Sequence, residues 1–138
     1  MERAAFQLLD YAFDKISLNF EGFNSNSTFL IDFKPSGIFK QKDAIFLLTF
    51  LFEASIEGDN ANNIASIRCV ARFKFKEQIS FEEIPNFFYP NSIAILVPFI
   101  RAFVSTVSLQ ANIKPIILPT LNLTSLQDSL KENTIAID

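Results

Sequence analysis

The stretch Phe20-Glu21-Gly22-Phe23-Asn24, resuming at Phe29-Leu30-Ile31-Asp32-Phe33-Lys34-Pro35, decides how this chain is read. It has the form of one strand ending, an irregular aromatic segment, and a second strand beginning. Gly22–Ser27 is rich in turn formers and breaks the extended run. Phe23, Phe29 and Phe33 stand among Asn, Ser and Thr, which is too apolar for a passive solvated loop. Two readings follow. Either the rings line a surface that grips apolar chain without demanding one sequence, or they plug the protein's own core.

Upstream, Tyr11–Glu21 alternates as a strand. Ile16, Leu18 and Phe20 fall on one face, and Lys15, Ser17, Asn19 and Glu21 on the other. Downstream, Phe29–Phe33 reads as a short strand that Pro35-Ser36-Gly37 interrupts. Ala44–Ile56 carries the strongest strand pattern, with Phe46, Leu48, Phe50 and Phe52 on one face and Ile45, Leu47 and Leu51 on the other. A strand apolar on both faces needs cover on both, which predicts a partner subunit. Glu57-Gly58-Asp59-Asn60 is a hairpin signal. Ile64–Phe75 alternates after it, with Ile67, Cys69, Ala71, Phe73 and Phe75 inward and a basic row of Arg68, Arg72, Lys74 and Lys76 toward solvent.

After Phe81 the period changes. Asn91–Ala111 reads as a helix, with Leu96, Phe99, Ile100, Phe103, Val104 and Val107 at spacings of three and four. Pro98 lacks an amide donor and is expected to kink or restart that helix. Lys114–Leu121 is extended between Pro115 and Pro119, Asn122 caps a last helix over Leu123–Lys131, and Glu132–Asp138 is expected to fray. Residues 1–138 therefore form a single α+β domain of four strands followed by two helices.

Composition narrows the function. Apolar residues make up 49% and charged residues 20%, the balance of a globular chain. Apolar runs such as Ala44–Phe52 fall short of a membrane span, and Met1-Glu2-Arg3 opens no secretory signal, so a soluble, cytoplasmic chain is expected. The lone Cys69 excludes an internal disulfide and fits a reducing compartment. A net charge of −3 and a pI near 4.9 argue against nucleic acid as a partner. There is no His, so the commonest general base and metal ligand is missing. Neither a metal site nor a cofactor is expected. Gly22, Gly37 and Gly58 are isolated and build no phosphate loop. Glu82-Glu83 reads as a helix start, and Asp32 as a turn anchor bonded to backbone. An enzyme is not expected. The seventeen Phe and absent Trp have a bland explanation too, a genome rich in Phe, Ile, Asn and Lys codons.

The order of several weak motifs resembles SecB, the bacterial export chaperone, and its SecB-like relatives. That family's crossover reads Ile-Ser-Phe-Glu, then Phe, then Asp-Trp-x-Pro. Here Leu18-Asn19-Phe20-Glu21 is followed by Phe29 and by Asp32-Phe33-Lys34-Pro35 without a gap. The family's first helix carries Pro-Asn and then Phe-Pro-Tyr-Ala-Arg. This chain has Pro90-Asn91 and then Val97-Pro98-Phe99-Ile100-Arg101, two residues further along. Its Pro115-Ile116-Ile117-Leu118-Pro119-Thr120-Leu121-Asn122-Leu123 is similar to the family's Pro-x-Leu-x-Leu-x-Pro-Val-Asn-Phe.

The resemblance implies a SecB-like fold, a four-stranded antiparallel sheet followed by two helices, assembled as a homotetramer (a dimer of dimers). It implies an ATP-independent holdase for unfolded polypeptides and preproteins, possible kin being dedicated chaperones of antitoxins. A binder of small apolar ligands and a purely structural subunit are the rival classes. By position, Phe20, Phe23, Phe29 and Phe33 match the family's peptide groove; helical spacing adds Leu123, Leu126 and Leu130 as the opposite wall. Of the acidic positions that dock the SecA motor, Glu21 is kept, but the earlier one falls on Ser17. Arg68-Cys69-Val70 and the basic row replace the later acid, and the long acidic tail is nearly absent. These departures count against SecA docking.

Overall fold

A computed structural model describes residues 5–24, 26 and 28–138. The elements run β1 (Phe6–Leu18), β2 (Phe29–Lys40), β3 (Ile45–Ile56), β4 (Asp59–Phe75), a short 3-10 turn (Phe81–Glu83), α1 (Phe88–Gln110), α2 (Leu123–Glu132) and β5 (Thr134–Ile137). They make one sheet in the order β1-β4-β3-β2-β5 with both helices following the four long strands. The α+β class and the strands-then-helices order are as the sequence suggests. The fifth strand is a correction: the tail expected to fray instead pairs in parallel with β2, Gly37 opposite Thr134 through Lys40 opposite Ile137.

β2 is also longer than expected, because Pro35-Ser36-Gly37 does not interrupt it. The reason is which edge each amide faces. Gly37 donates its N–H to the Asn133 carbonyl at 3.1 Å, so the β5 side receives the amides of every second residue. Pro35 lies two residues earlier and directs its nitrogen to that same side, beyond the start of β5. No ladder bond is lost there.

β1 begins five residues before the expected start at Tyr11 and ends at Leu18, short of Glu21. Its register against β4 slips between Leu8 and Asp10 and again between Phe13 and Lys15. Each bulge restores the inward sequence Phe6, Leu8, Tyr11, Phe13, Ile16, Leu18, opposite Phe75, Phe73, Ala71, Cys69, Ile67 and Ala65. A strict alternation test cannot follow two such slips, which is why the strand's first half was missed. β3 begins at Ile45, since Ala44 takes a left-handed turn conformation at φ 54°.

The core lies between one sheet face and α1. Phe46, Leu48, Phe50 and Phe52 of β3 and Ile67, Cys69, Ala71, Phe73 and Phe75 of β4 are buried. Gly58, at φ +92°, closes the β3–β4 turn as the hairpin signal predicts. Helix α1 buries Phe88, Tyr89, Ile93, Leu96, Val97, Ile100 and Val104. Phe99 and Phe103 form a second stripe, stacking on Tyr11 and Phe13 of β1 at 4.4 and 4.2 Å. Contrary to expectation, α1 continues through Pro98 as one element. Pro98 and Ala94, whose carbonyl loses its partner, are both exposed, so water can replace the missing donor.

By length and composition α1 could cross a membrane: its apolar window has a mean hydropathy of 1.9, with 39% buried within the fold. The apolar-run estimate therefore missed a segment of spanning length, because Pro98, Arg101 and scattered serines divide it.

After α1, Asn112 turns the chain at φ 58°, and the segment at 113–122 runs extended. The Ser108 hydroxyl donates to the Val104 carbonyl at 2.8 Å and accepts from Ile116 N–H at 3.1 Å, so the connector, in which Ile116 and Leu118 are buried, is tied to α1. Asn122 caps α2 as expected, accepting from Ser125 N–H at 3.1 Å.

Candidate peptide-binding surface and outer sheet face

The β1–β2 crossover brings its rings together at one corner of the sheet. Phe20 and Phe23 meet edge-on at 6.3 Å, and Phe23 stacks on Phe29 at 5.3 Å with planes 7° apart. Phe33, further along β2, touches Phe50 and Phe52, both at 5.7 Å. All four rings are half-buried, packed against the core on one side and open to solvent on the other. Each ring thus fills the core on one side, as the core-plug reading expects, and leaves apolar surface open on the other. Phe33 leans toward the core, while Phe23 and Phe29 hold chiefly to one another. Within the crossover, Ser25 and Ser27 of the expected Gly22–Ser27 turn lie outside the described residues.

Helix α2 lies beside β2. Leu123 is exposed and Leu126 half-buried, so both present apolar surface. Leu130 does not, at 0% exposure. It faces the core one turn beyond Leu126, because i,i+4 spacing cannot distinguish the buried end of a helix from its open end. On the β5 side of β2, the residues from Phe29 to Ser36 pair with no strand among the described residues. The surface thus combines half-buried rings, α2 leucines and a run of open strand edge.

The outer sheet face differs from expectation. Arg68 donates to both Asp14 carboxylate oxygens at 2.8 and 2.6 Å, and Arg72 to both of Asp10 at 2.9 and 2.6 Å. Two of the four residues in the basic row are therefore paired with acids from β1; Asp14 lies within the expected strand, whereas Asp10 precedes its expected start at Tyr11. Each guanidinium holds its carboxyl below the ordinary range, chiefly through the side-chain hydrogen bonds. Asp32 is no turn anchor; it lies on β2 beside Lys34 at 3.8 Å, and Lys34 binds Glu53 at 2.7 Å. Residues two apart on a strand share a face, which places both carboxylates around one ammonium. Glu21, the expected docking acid, sits in the crossover turn past the end of β1 and off the sheet face. Its amide bonds the Asn19 side chain at 3.0 Å.

Among the described residues, no group of three His, Cys, Asp or Glu could hold a metal ion. Glu83 does what the helix-start reading expects, accepting the Ser80 N–H at 2.8 Å, and that backbone bond lowers its pKa. Cys69 is buried, and burial first, then the charge of Asp14, pushes its thiol up to about 11. At pH 8 roughly one molecule in a thousand would carry the thiolate, before any steric protection. Modification by a disulfide reagent at pH 8 should therefore be slow in the folded protein and fast in urea, as absorbance of the released thiolate would record.

With this geometry in hand, the fold can be placed: it is that of the SecB-like chaperones. The solved structure that shows it is the Mycobacterium tuberculosis Rv1957 SecB-like chaperone, in complex with a ChAD peptide from the Rv1956 HigA1 antitoxin. It aligns at a TM-score of 0.62 and 16% identity, covering 85% of this chain and 91% of that one. A protein of unknown function from Streptococcus agalactiae aligns at a TM-score of 0.43 and 10% identity, covering 86% of this chain and all (100%) of that one. In sequence, the uncharacterized protein MJ0357 of Methanocaldococcus jannaschii is 38% identical over 53 residues. That alignment covers 38% of this chain and 34% of the relative, about a third of its length. No family model matches.

Proposed function

We propose that this protein is an ATP-independent holdase that binds non-native polypeptide on the aromatic crossover, α2 and the open edge of β2. One observation carries the reading: Phe20, Phe23 and Phe29 form a ring cluster half open to solvent, beside unpaired strand edge. Rings contribute burial that is indifferent to sequence, and main-chain groups bind any extended chain. Catalysis has no support from the side chains, so the protein is read as a binding protein and not an enzyme. A cytoplasmic setting suits the buried, free Cys69.

Assembly belongs to the same proposal. The half-buried Ile45, Leu47 and Leu51 of β3, the free edge of β1 and the exposed Ile95, Phe99 and Leu109 of α1 are surfaces for further copies, in keeping with a homotetramer. The paired charges on the outer face offer a basic partner such as SecA little net attraction. A second reading, one dedicated client, is favoured by the antitoxin peptide held by the Mycobacterium tuberculosis chaperone.

Dilution of a chemically denatured client into the protein without ATP tests the proposal. Aggregation should be suppressed in proportion to dose. A Phe23→Ala/Phe29→Ala variant should lose about tenfold or more in capture, with assembly and fold unchanged, since ring truncation in a binding patch removes about 1–2 kcal/mol each. Undiminished capture would remove these rings from the site. Absence of protection by an intact wild-type protein would leave the dedicated-client reading.

A further inference from the structure

We propose that the outer face of the sheet packs against the same face of a second copy, turned over about a two-fold axis that crosses the strands at Thr49 and Val70. This deepens the assembly part of the proposed function and does not depend on client binding. The strand register lays the face out in rows. The middle row is small: Ser36, Thr49, Val70 and Ala12 lie side by side across β2, β3, β4 and β1. Larger side chains flank it. Toward one end stand Ile38, Leu47 and the Arg72–Asp10 pair, and toward the other Lys34, Leu51 and the Arg68–Asp14 pair. About the middle row, leucine therefore answers leucine and ion pair answers ion pair.

The outermost rows carry opposite charge. Lys40, Ile45 and Lys74 form one, and Asp32, Glu53 and Ser66 the other. An axis along the middle row lays each end of one copy over the opposite end of its mate. Lysines then meet carboxylates on both sides of the interface, as a self-complementary surface requires. At the ordinary spacing of stacked sheets, about 10 Å, Leu51 of the second copy falls over Leu47. A hollow of about 440 Å³ lies there over Ala12, Thr49 and Val70, bounded by Ile38, Leu47 and Arg72. Leu47, Thr49, Leu51 and Val70 are half-buried and Ile38 is exposed, so the fold leaves this face open. The two arginines are already neutralised by their own chain and do not enter the contact as lone charges. An unrelated partner would have no use for a face that mirrors itself.

A charge exchange tests the pairing. Lys40 and Asp32 of one chain lie eight residues apart on β2, about 26 Å, too far to meet within a chain. Association is read by sedimentation equilibrium. It is also read, whatever other surfaces do, by bridging Thr49→Cys chains with a short bismaleimide, to which the buried Cys69 is closed. Asp32→Lys and Lys40→Asp should each weaken association about tenfold, and the double variant should return it to near the wild-type level. Single variants that associate like wild type, a double variant weaker than either, or Thr49→Cys chains that stay unbridged would overturn the interface. Client capture is measured on the same proteins and should not change, because the crossover rings pack toward the core side of the sheet. Loss of capture by every form, wild type included, with bridging intact would overturn the holdase reading alone.

Discussion

Replacing Phe88 with Ala should lower stability by about 3–5 kcal/mol, the usual range for deleting a fully buried ring. Phe88 has no exposed surface and stands at the centre of the aromatic core. Its ring centroid lies 4.7 Å from Phe46, 4.8 Å from Phe6 and 5.0 Å from Phe75, with Phe73 and Tyr89 at 5.7 and 5.8 Å. These contacts join β1, β3 and β4 to the first turn of α1 through one side chain. Their geometry is mostly edge-to-face, the favoured arrangement for ring quadrupoles. Since a domain of this kind holds about 5–15 kcal/mol in total, the variant should be on the verge of unfolding at 37 °C. Urea unfolding followed by circular dichroism would check this. A loss below about 1 kcal/mol would mean that the surrounding rings close the cavity and that the core is far more plastic than its packing indicates.

The second large effect is expected at Gly37. A Cβ built there would lie 2.4 Å from Cζ and 2.6 Å from Cε1 of Phe46, and 2.8 Å from the Thr134 hydroxyl oxygen. The Phe46 ring cannot swing aside, because it is fully buried against Phe88, Tyr89 and Phe39. Gly37→Ala should thus cost about 1–3 kcal/mol as overpacking, lowering the urea midpoint at constant slope. Because moving Thr134 leaves the closer Phe46 contacts, the β2 backbone itself must shift at Gly37, which strains the Gly37–Asn133 bond, so β5 should loosen before the core does. Faster amide exchange at Ile137 and Gln41 than at Phe50 would register that order. Unchanged exchange with a lowered midpoint would place the strain in the core alone.

Much of the architecture was legible because burial writes plainly on long, regular segments. The β3 alternation, the Gly58 hairpin, the inward row of β4, the Asn122 cap and the α2 limits needed only period and turn chemistry. What escaped was set by neighbours. Pro35 is harmless because of where β5 begins, Pro98 because it is exposed, and β1 runs early because two bulges correct its register. β5 itself is a four-residue strand whose signal is its fit to an edge, which local sequence does not encode. At the candidate site, the four crossover phenylalanines are half-buried, whereas Leu130, placed on the same wall by spacing alone, is buried. Of the acids that neutralise Arg68 and Arg72, Asp14 falls inside the expected strand and Asp10 just before it, and pairing across the sheet shows in neither one's local sequence.

The Ser108 hydroxyl has a mechanical consequence. By accepting the Ile116 amide it fixes where the connector leaves α1, and Ile116 and Leu118 are buried along the way to α2. Swinging α2 outward far enough to lift the connector would break that bond, a loss of about 0.5–1.5 kcal/mol, and would also expose Ile116 and Leu118. If the protein is the holdase proposed above, the α2 wall acts as a fixed jaw, and cargo of different girth is left to the opposing crossover rings.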